Sequence, residues 1–487
     1  MTAILPRQAW LKGAGIWRRF GSVSNCLALA ATSLTVSSLT IPSLAAQKAA
    51  QVQIDLKADL AVVPAAGYGV HTSVYDNNFT PPGLAQKLKA AGVTALRYPG
   101  GSYSDIYHWK THSATAGANI YIHANATFDN FMTKDLLPIA GQAVITVNYG
   151  SNGAGTGGGD PAEAADWVRY ANLEKGWKIH YWEIGNEIGG NGYFGPSWEE
   201  DLHAPLNGDR KGNPALSQTA YGRNALEYIR AMKAVDPSIL IGVGVDMPDS
   251  HPGDGNAALF KEVRDKVDFL IVHWYPKASS TDLTVSEEIK PQAAALREQY
   301  AHFAGPAKRG IPIAVTETNG GPNGPARALF ATDTYLTWFE AGAINVDWLE
   351  LHAGFLSDGK EVPNDTPAEA YYGMQMASLA ARPGDVLVAA RSTSPLLTVH
   401  AVRRKDGGLA LVLINKHPNQ PFQAAIAIPD ARLAATATRY DFGRANFAAN
   451  SSWPTASPVQ STHEGVASSF SVTVPATSET VLVIAGK

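Results

Sequence analysis

The sequence predicts an α/β fold, a (β/α)8 TIM barrel with a C-terminal all-β sandwich. Three observations carry this. Between residues 65 and 382, eight short apolar, β-rich runs alternate with amphipathic helical stretches. The last hundred residues instead carry short alternating runs separated by turn signals such as Lys405-Asp406-Gly407-Gly408. Two glutamates, Glu187 and Glu317, each end a short apolar run and are followed by Gly- and Asn-rich sequence, which reads as a carboxylate at the tip of a buried strand, twice.

The expected barrel strands are 67–71, 94–98, 143–148, 179–184, 240–245, 268–274, 313–316 and 346–351. Helical segments at 82–91, 161–175, 218–235, 287–303 and 325–341 lie between them, and Asp160-Pro161 and Gly324-Pro325 place a proline in a first turn. A doubly wound sheet is the competitor, but its Gly-rich phosphate turn is missing after the first strand, where Asn77-Asn78-Phe79-Thr80-Pro81-Pro82 stands. In the terminal region, strands are expected at 386–390, 397–403, 409–415, 422–428, 435–440, 469–474 and 480–484. The strand-like segment 51–56 is expected to join them, and 450–468 reads as a loop. The domains are then 1–46, a signal peptide; 47–64, a strand of the sandwich; 65–382, the barrel; and 383–487, the sandwich.

Residues 1–46 carry Arg7, Lys12, Arg18 and Arg19 and no acid, then an apolar stretch from Cys26 to Leu39, then small residues ending at Ala46. That is the pattern of an export signal. Arg18-Arg19-Phe20 partly matches a twin-arginine signal, so the export route stays open between the two systems. Without this segment 35 basic residues face 43 acidic ones, a net charge of −8. No basic tract suggests nucleic acid. The single cysteine, Cys26, lies in the signal, so no disulfide or thiol chemistry is expected after it. No later stretch is long and apolar enough to span a membrane. With 11 tryptophans, 18 tyrosines and 15 phenylalanines, stacking surfaces are available.

In a (β/α)8 barrel the strand C-termini open onto one cavity, and the fourth and seventh strands face each other across it. Glu187 ends the fourth and Glu317 the seventh. Two converging carboxylates are what glycosidic bond cleavage needs: one proton donor and one nucleophile or base. Alternation puts 183, 185 and 187 on one face, so Glu183 is expected deeper, as a hydrogen-bonded support. The run from Gly150 to Asp160 lacks the Lys-Ser/Thr ending of a phosphate loop. His251 and Asp254 lack metal-site spacing, and no Gly-x-Ser-x-Gly elbow appears. Neither metal nor cofactor is implied.

Trp182-Glu183-Ile184-Gly185-Asn186-Glu187 resembles the Asn-Glu acid/base motif of clan A glycoside hydrolases. Leu96-Arg97-Tyr98-Pro99-Gly100-Gly101 is similar to a motif of the family 51 α-L-arabinofuranosidases, and His273-Trp274-Tyr275 looks like the clan's His-x-Tyr. Asn148-Tyr149-Gly150 fits the same picture. The context of Glu317, Thr-Glu-Thr-Asn-Gly-Gly, looks as much like family 39 β-xylosidases or the β-glucuronidase and heparanase group.

The resemblance implies a retaining enzyme acting on polysaccharide, first an arabinofuranoside and otherwise a β-xyloside, β-glucuronide or β-glucan. Glu187 would be the acid/base and Glu317 the nucleophile, held ionised by Arg97 and Tyr275. Asn186 would bind the sugar 2-hydroxyl, with Asn148 and His273 lining the site. Among aromatic candidates for stacking (Tyr75, Trp109, Tyr149 and Trp348), Trp348 is placed best. The segment 189–213, with Tyr193, Phe194 and Trp198, is expected to wall the cleft. A non-catalytic carbohydrate-binding barrel is the alternative of another class. Oligomeric state, the sugar, and exo or endo action stay open.

Overall fold

The computed structural model describes residues 49–190, 201–203, 214–248, 255–276, 282–429 and 431–487. The expected signal segment 1–46, His251 and Asp254, and Tyr193, Phe194 and Trp198 lie outside the described residues.

Eight parallel strands close into a barrel: Tyr68–His71, Ala95–Tyr98, Gln142–Val147, Tyr181–Ile184, Leu240–Gly244, Phe269–Trp274, Ile313–Thr318 and Ala343–Trp348. Each pairs with the next in sequence, and the eighth returns to the first through Val346 and Tyr68. Their runs read as continuous apolar sequence because helices cover the outside and packed side chains fill the inside. Inside the barrel, Phe269, Ile271 and Ala314 form a small cluster of their own below the mouth.

The helices begin where local chemistry starts them. Asp160 caps Pro161–Val168 by accepting from the Ala162 N–H at 2.8 Å, with proline in the first turn. Gly92 ends Leu84–Ala91 at φ 86°, a left-handed cap that suits glycine. Helix Pro325–Glu340 is buried on every side from Ala328 to Phe339. It is enclosed because it lies between the barrel and the terminal sheet, and it buries Asp333 and three threonines along with its apolar residues.

That sheet has nine strands in the order 459–464, 433–443, 478–486, 409–415, 397–403, 386–392, 50–62, 422–427, 469–474. It curls over a core separate from the barrel's, built on residues such as Val52, Leu411, Ile426 and Leu482. Strand Ala50–Val62 pairs antiparallel with Val386–Ser392 and parallel with Phe422–Ala427. The expected loop 450–468 is in part a strand: Val459–Glu464 pairs antiparallel with Leu433–Gly443. It is a polar edge strand, exposed on both faces, so it carries no apolar alternation to betray it. No described helix is long and apolar enough to cross a membrane.

Candidate active site at the barrel mouth

Arg97, on the second barrel strand, is the hub. It is fully buried and all three of its guanidinium nitrogens are engaged. Nε donates to Glu183 Oε2 at 2.8 Å, Nη1 to Glu317 Oε1 at 2.8 Å, and Nη2 to Asn186 Oδ1 at 3.0 Å. Nη1 also lies 3.0 Å from His71 Nδ1, at the end of the first strand. Burial and the Arg97 charge hold His71 down to about 3, so its ring is neutral and Nδ1 accepts. Glu183 takes a further bond from Thr146 Oγ1 at 2.7 Å and is buried, which is the supporting place that strand alternation gave it.

Glu317 reaches this hub because its strand is irregular. The register against the sixth strand runs Val315↔Val272, then Glu317↔His273, so Thr316 is an extra residue, a β-bulge. Strict alternation from the inward Ala314 would turn Thr316 in and Glu317 out. The bulge brings both inward: Thr316 Oγ1 lies 3.2 Å from His273 Nε2, and Glu317 meets Arg97. Tyr275, with 42 % of its surface exposed at the rim, turns its hydroxyl onto Glu317 Oε2 at 2.6 Å. Burial alone would push the Glu317 carboxyl up. The charges of His273 and Arg97 and the Tyr275 bond outweigh it and bring the group down to about 2. Glu317 is therefore ionised at any ordinary working pH.

The fourth strand ends at Ile184, and Gly185 and Glu187 then take left-handed φ values of 69° and 49°. This tight exit carries Glu187 to the mouth, where Oε1 lies 2.7 Å from His273 Nδ1. Burial pulls His273 down, but Glu317 and Glu187 outweigh it, and its affinity for a proton is raised. One donor atom each from Glu187, His273 and Glu317 lies within 4.8 Å of the other two. This is the one grouping among the described residues that could hold a cation, and each of its members already has a protein hydrogen-bond partner.

The glycine pair after the second strand serves close approach. A Cβ on Gly100, at φ 105°, would meet Thr72 O at 2.4 Å, and one on Gly101 would stand 3.6 Å from Glu317 Oε1. Asn186 is fixed from behind by Asp105, which accepts from its backbone N–H at 3.1 Å. With Oδ1 on Arg97, the Asn186 amide hydrogens are left for a ligand.

The structure thus gathers Arg97, Asn186, Glu187, His273, Tyr275 and Glu317. It does not bring in Asn148, whose side chain joins Tyr107 O at 3.4 Å and Ser151 N at 3.2 Å and so ties two loops together. Nor does it offer Trp348 as a platform. Neighbours Asn345 and Asp347 point inward, so Trp348 points outward, 1 % exposed, edge-on to Phe330 of helix Pro325–Glu340. Tyr149 is buried, with its hydroxyl on Asp201, and Trp109 stacks on Trp167. Tyr75 alone of the four aromatic candidates stands at the mouth, donating to Glu350 Oε2 at 3.0 Å beside Ser73 Oγ at 2.8 Å. His352 is held between Asp76 and Asp365.

Sequence reasoning passed over His71, Thr146, Asp105, Ser73 and Glu350. His71 and Thr146 carry the same signal as the recognised residues, a polar side chain at or near a strand's C-terminal end, whereas Asp105 lies in a loop with no local pattern.

No family model matches the chain. Among curated proteins it is 25 % identical over 194 residues to the probable α-L-arabinofuranosidase C of Aspergillus niger, covering 36 % of this chain and 34 % of that protein. It is 24 % identical over 271 residues to an intracellular exo-α-(1→5)-L-arabinofuranosidase of Acetivibrio thermocellus, covering 47 % and 48 %. The chain thus spans only about a third to a half of the length of the curated relatives it matches. Among solved structures, it superposes on the α-L-arabinofuranosidase of Thermotoga maritima in its arabinose complex with a TM-score of 0.70 at 18 % identity, covering 90 % of this chain and all of that one. A bifunctional glucanase-xylanase from a metagenome library gives a TM-score of 0.66 at 17 % identity, covering 90 % and 99 %. These likenesses share the fold, a barrel with a β-sandwich, and agree with the motif resemblance to family 51 and its clan.

Proposed function

We propose that the protein is an exported retaining glycoside hydrolase that cleaves O-glycosidic bonds in polysaccharide, with an α-L-arabinofuranoside as its first substrate. One observation carries the reading: Glu187 and Glu317 stand on opposite strand ends, with one oxygen of each carboxylate within 4.8 Å of the other. Double displacement needs carboxyl groups about 5–5.5 Å apart, against roughly 6.5–9.5 Å when a water must fit between them. The arabinofuranoside follows the names of the curated relatives, and export follows the basic and apolar pattern of residues 1–46.

In the first step a Glu317 oxygen attacks the anomeric carbon while that carbon's bond to the leaving oxygen breaks. Glu187 donates its proton to that oxygen, leaving a glycosyl ester on Glu317 and an ionised Glu187. In the second, Glu187 takes a proton from water, the water oxygen attacks the same carbon, and Glu317 leaves as a carboxylate. The division of labour follows from the partners. Glu317 is bonded by Arg97 and Tyr275 and stays ionised, whereas Glu187 meets His273 and has no contact with Arg97. Asn186 would donate to the 2-hydroxyl, a contact that strengthens as charge develops.

The second reading keeps the chemistry and changes the sugar to a β-xyloside or β-glucan, favoured by the likeness in fold to the glucanase-xylanase. A β-glucuronide is less well served. The Arg97 nitrogens are all committed and His273 Nδ1 is taken by Glu187, while Glu350 adds a carboxylate at the mouth. Turnover of a panel of aryl α-L-arabinofuranoside, β-xyloside, β-glucuronide and β-glucoside, with the first anomer followed by NMR, tests the proposal. Fastest turnover of the arabinofuranoside with retention supports it. An inverted first product, or no turnover of any glycoside including polysaccharide, would reject it in favour of another mechanism or a binding barrel.

A further inference from the structure

A cavity of about 210 Å³ opens beside Glu187 between the ends of the fourth, fifth and sixth barrel strands. Glu187, His273 and Tyr275 line both it and the carboxylate site, but Glu317, Arg97 and Asn186 do not line it. It therefore borders the proton donor and not the nucleophile. In a displacement the breaking bond points away from the nucleophile and towards the donor, so whatever is attached to the leaving oxygen is delivered to this side.

The space exists because glycines stand at its wall. Gly244 ends the fifth strand opposite Ile271, and a Cβ built there would meet nothing within 4 Å. Its φ lies outside the left-handed region, so a side chain is permitted and simply absent. Gly185 and Gly189 line the cavity as well. A cavity of this size has room for one sugar residue rather than a chain. Ile188 and Met247 give it an apolar surface of the kind that takes the C–H face of a sugar. Gln218 gives it an amide, 1 % exposed, whose Oε1 has no hydrogen-bond partner. A buried acceptor left unpaired is costly, and a small turn of the amide would present it to a hydroxyl. Asp246 adds a carboxylate, there is no lysine or arginine among the described lining residues, and the one imidazole, His273, is already engaged by Glu187 at 2.7 Å.

We propose that this cavity is the leaving-group subsite, built for a single neutral sugar, with Gly244 and Gln218 as its specificity-determining residues. The inference rests on the glycosidase reading and adds to it that the natural bond joins one sugar to another, not to an anionic sugar or an aglycone.

The test compares two substrates with the same glycone: an oligosaccharide, whose leaving group is a neutral sugar, and the glycosyl fluoride, whose leaving group needs no subsite. Gly244→Leu fills the cavity and Gln218→Met removes the amide at similar volume, with thermal melting to confirm folding. The expected result is that the kcat/KM ratio of oligosaccharide to fluoride falls at least tenfold in Gly244→Leu and several-fold in Gln218→Met. Gly244→Ala, which adds one carbon in open space, serves as the milder variant and lowers the ratio less. Wild-type ratios in all three variants would overturn the subsite. Failure of the wild-type protein to turn over the fluoride of any sugar would instead overturn the glycosidase reading itself.

Discussion

Two networks of buried charge among the described residues are built differently. At the barrel mouth Arg97 is shared between two carboxylates, Glu183 and Glu317. Where helix Pro325–Glu340 meets the terminal sheet, Asp333 takes Lys416 at 2.6 Å and His400 at 3.0 Å, while Glu340 takes His400 at 2.8 Å and Lys290 at 2.5 Å. Burial would lower His400, but Glu340 and Asp333 outweigh it and raise the ring to about 9, so it is a cation at neutral pH. In the second network three cations serve two carboxylates, with His400 shared between them. In the first, one guanidinium serves two carboxylates, and negative charge is left over for His273 and Tyr275 to steady. A saturated network fixes two parts of a fold together. At the edge of a cavity, a carboxylate that Arg97, His273 and Tyr275 hold ionised, without a cation of its own, can meet a developing positive charge on a sugar.

The largest expected effect breaks the first network at its reacting atom. Glu317→Gln should lower kcat roughly 10⁴-fold or more while thermal melting shows a folded protein. Next comes the second network. Asp333→Asn leaves Lys416 buried without its carboxylate and His400 with Glu340 alone, and should lower stability by about 3–5 kcal/mol, read from urea midpoints.

The same network gives a pH signature. A histidine raised from its ordinary value to about 9 contributes stability that is complete below about pH 6.5 and lost as pH rises through about 9. The wild-type protein should therefore lose about 3 kcal/mol across that interval, and His400→Gln should abolish that slope. Burial raises Asp333 and Glu340, but their cations outweigh it and hold both below the ordinary range, so their contribution is lost only as pH falls through those depressed values.

The smallest effect sharpens the first network. Tyr275→Phe removes a hydrogen bond to a charged group, about 1.5–3 kcal/mol, so the Glu317 carboxyl should rise. The acid limb of kcat/KM, where activity falls as pH drops through that value, should move up by about one to two units.

The contrast also explains what the sequence could and could not reveal. The eight barrel strands were legible because each is a short apolar run bounded by turn residues, and the catalytic candidates because each polar residue stands at the end of such a run. Glu317 was legible as a strand-end glutamate, but its inward aim depends on the bulge at Thr316, which no alternation rule supplies. Trp348 was misplaced for the same kind of reason: a residue's side of the barrel is set by register, and Trp348 falls on the helix side. Asn148 ends an apolar run as the others do, yet its amide is consumed by neighbouring loops. The His400 network was invisible because its members are far apart in the chain and meet only when the sheet packs on helix Pro325–Glu340. The edge strand Val459–Glu464 lacked any apolar pattern because it borrows its order from a partner's backbone.

The central claim is that Glu317 forms the covalent bond and Glu187 moves the proton. Its most direct test is incubation with a 2-deoxy-2-fluoro glycoside carrying a good leaving group, followed by mass spectrometry of the tryptic peptides. The account expects one glycosyl unit on the peptide Gly310–Arg327, attached at Glu317. A label on Glu187 or elsewhere, or turnover to an inverted product with no labelled peptide, would contradict it.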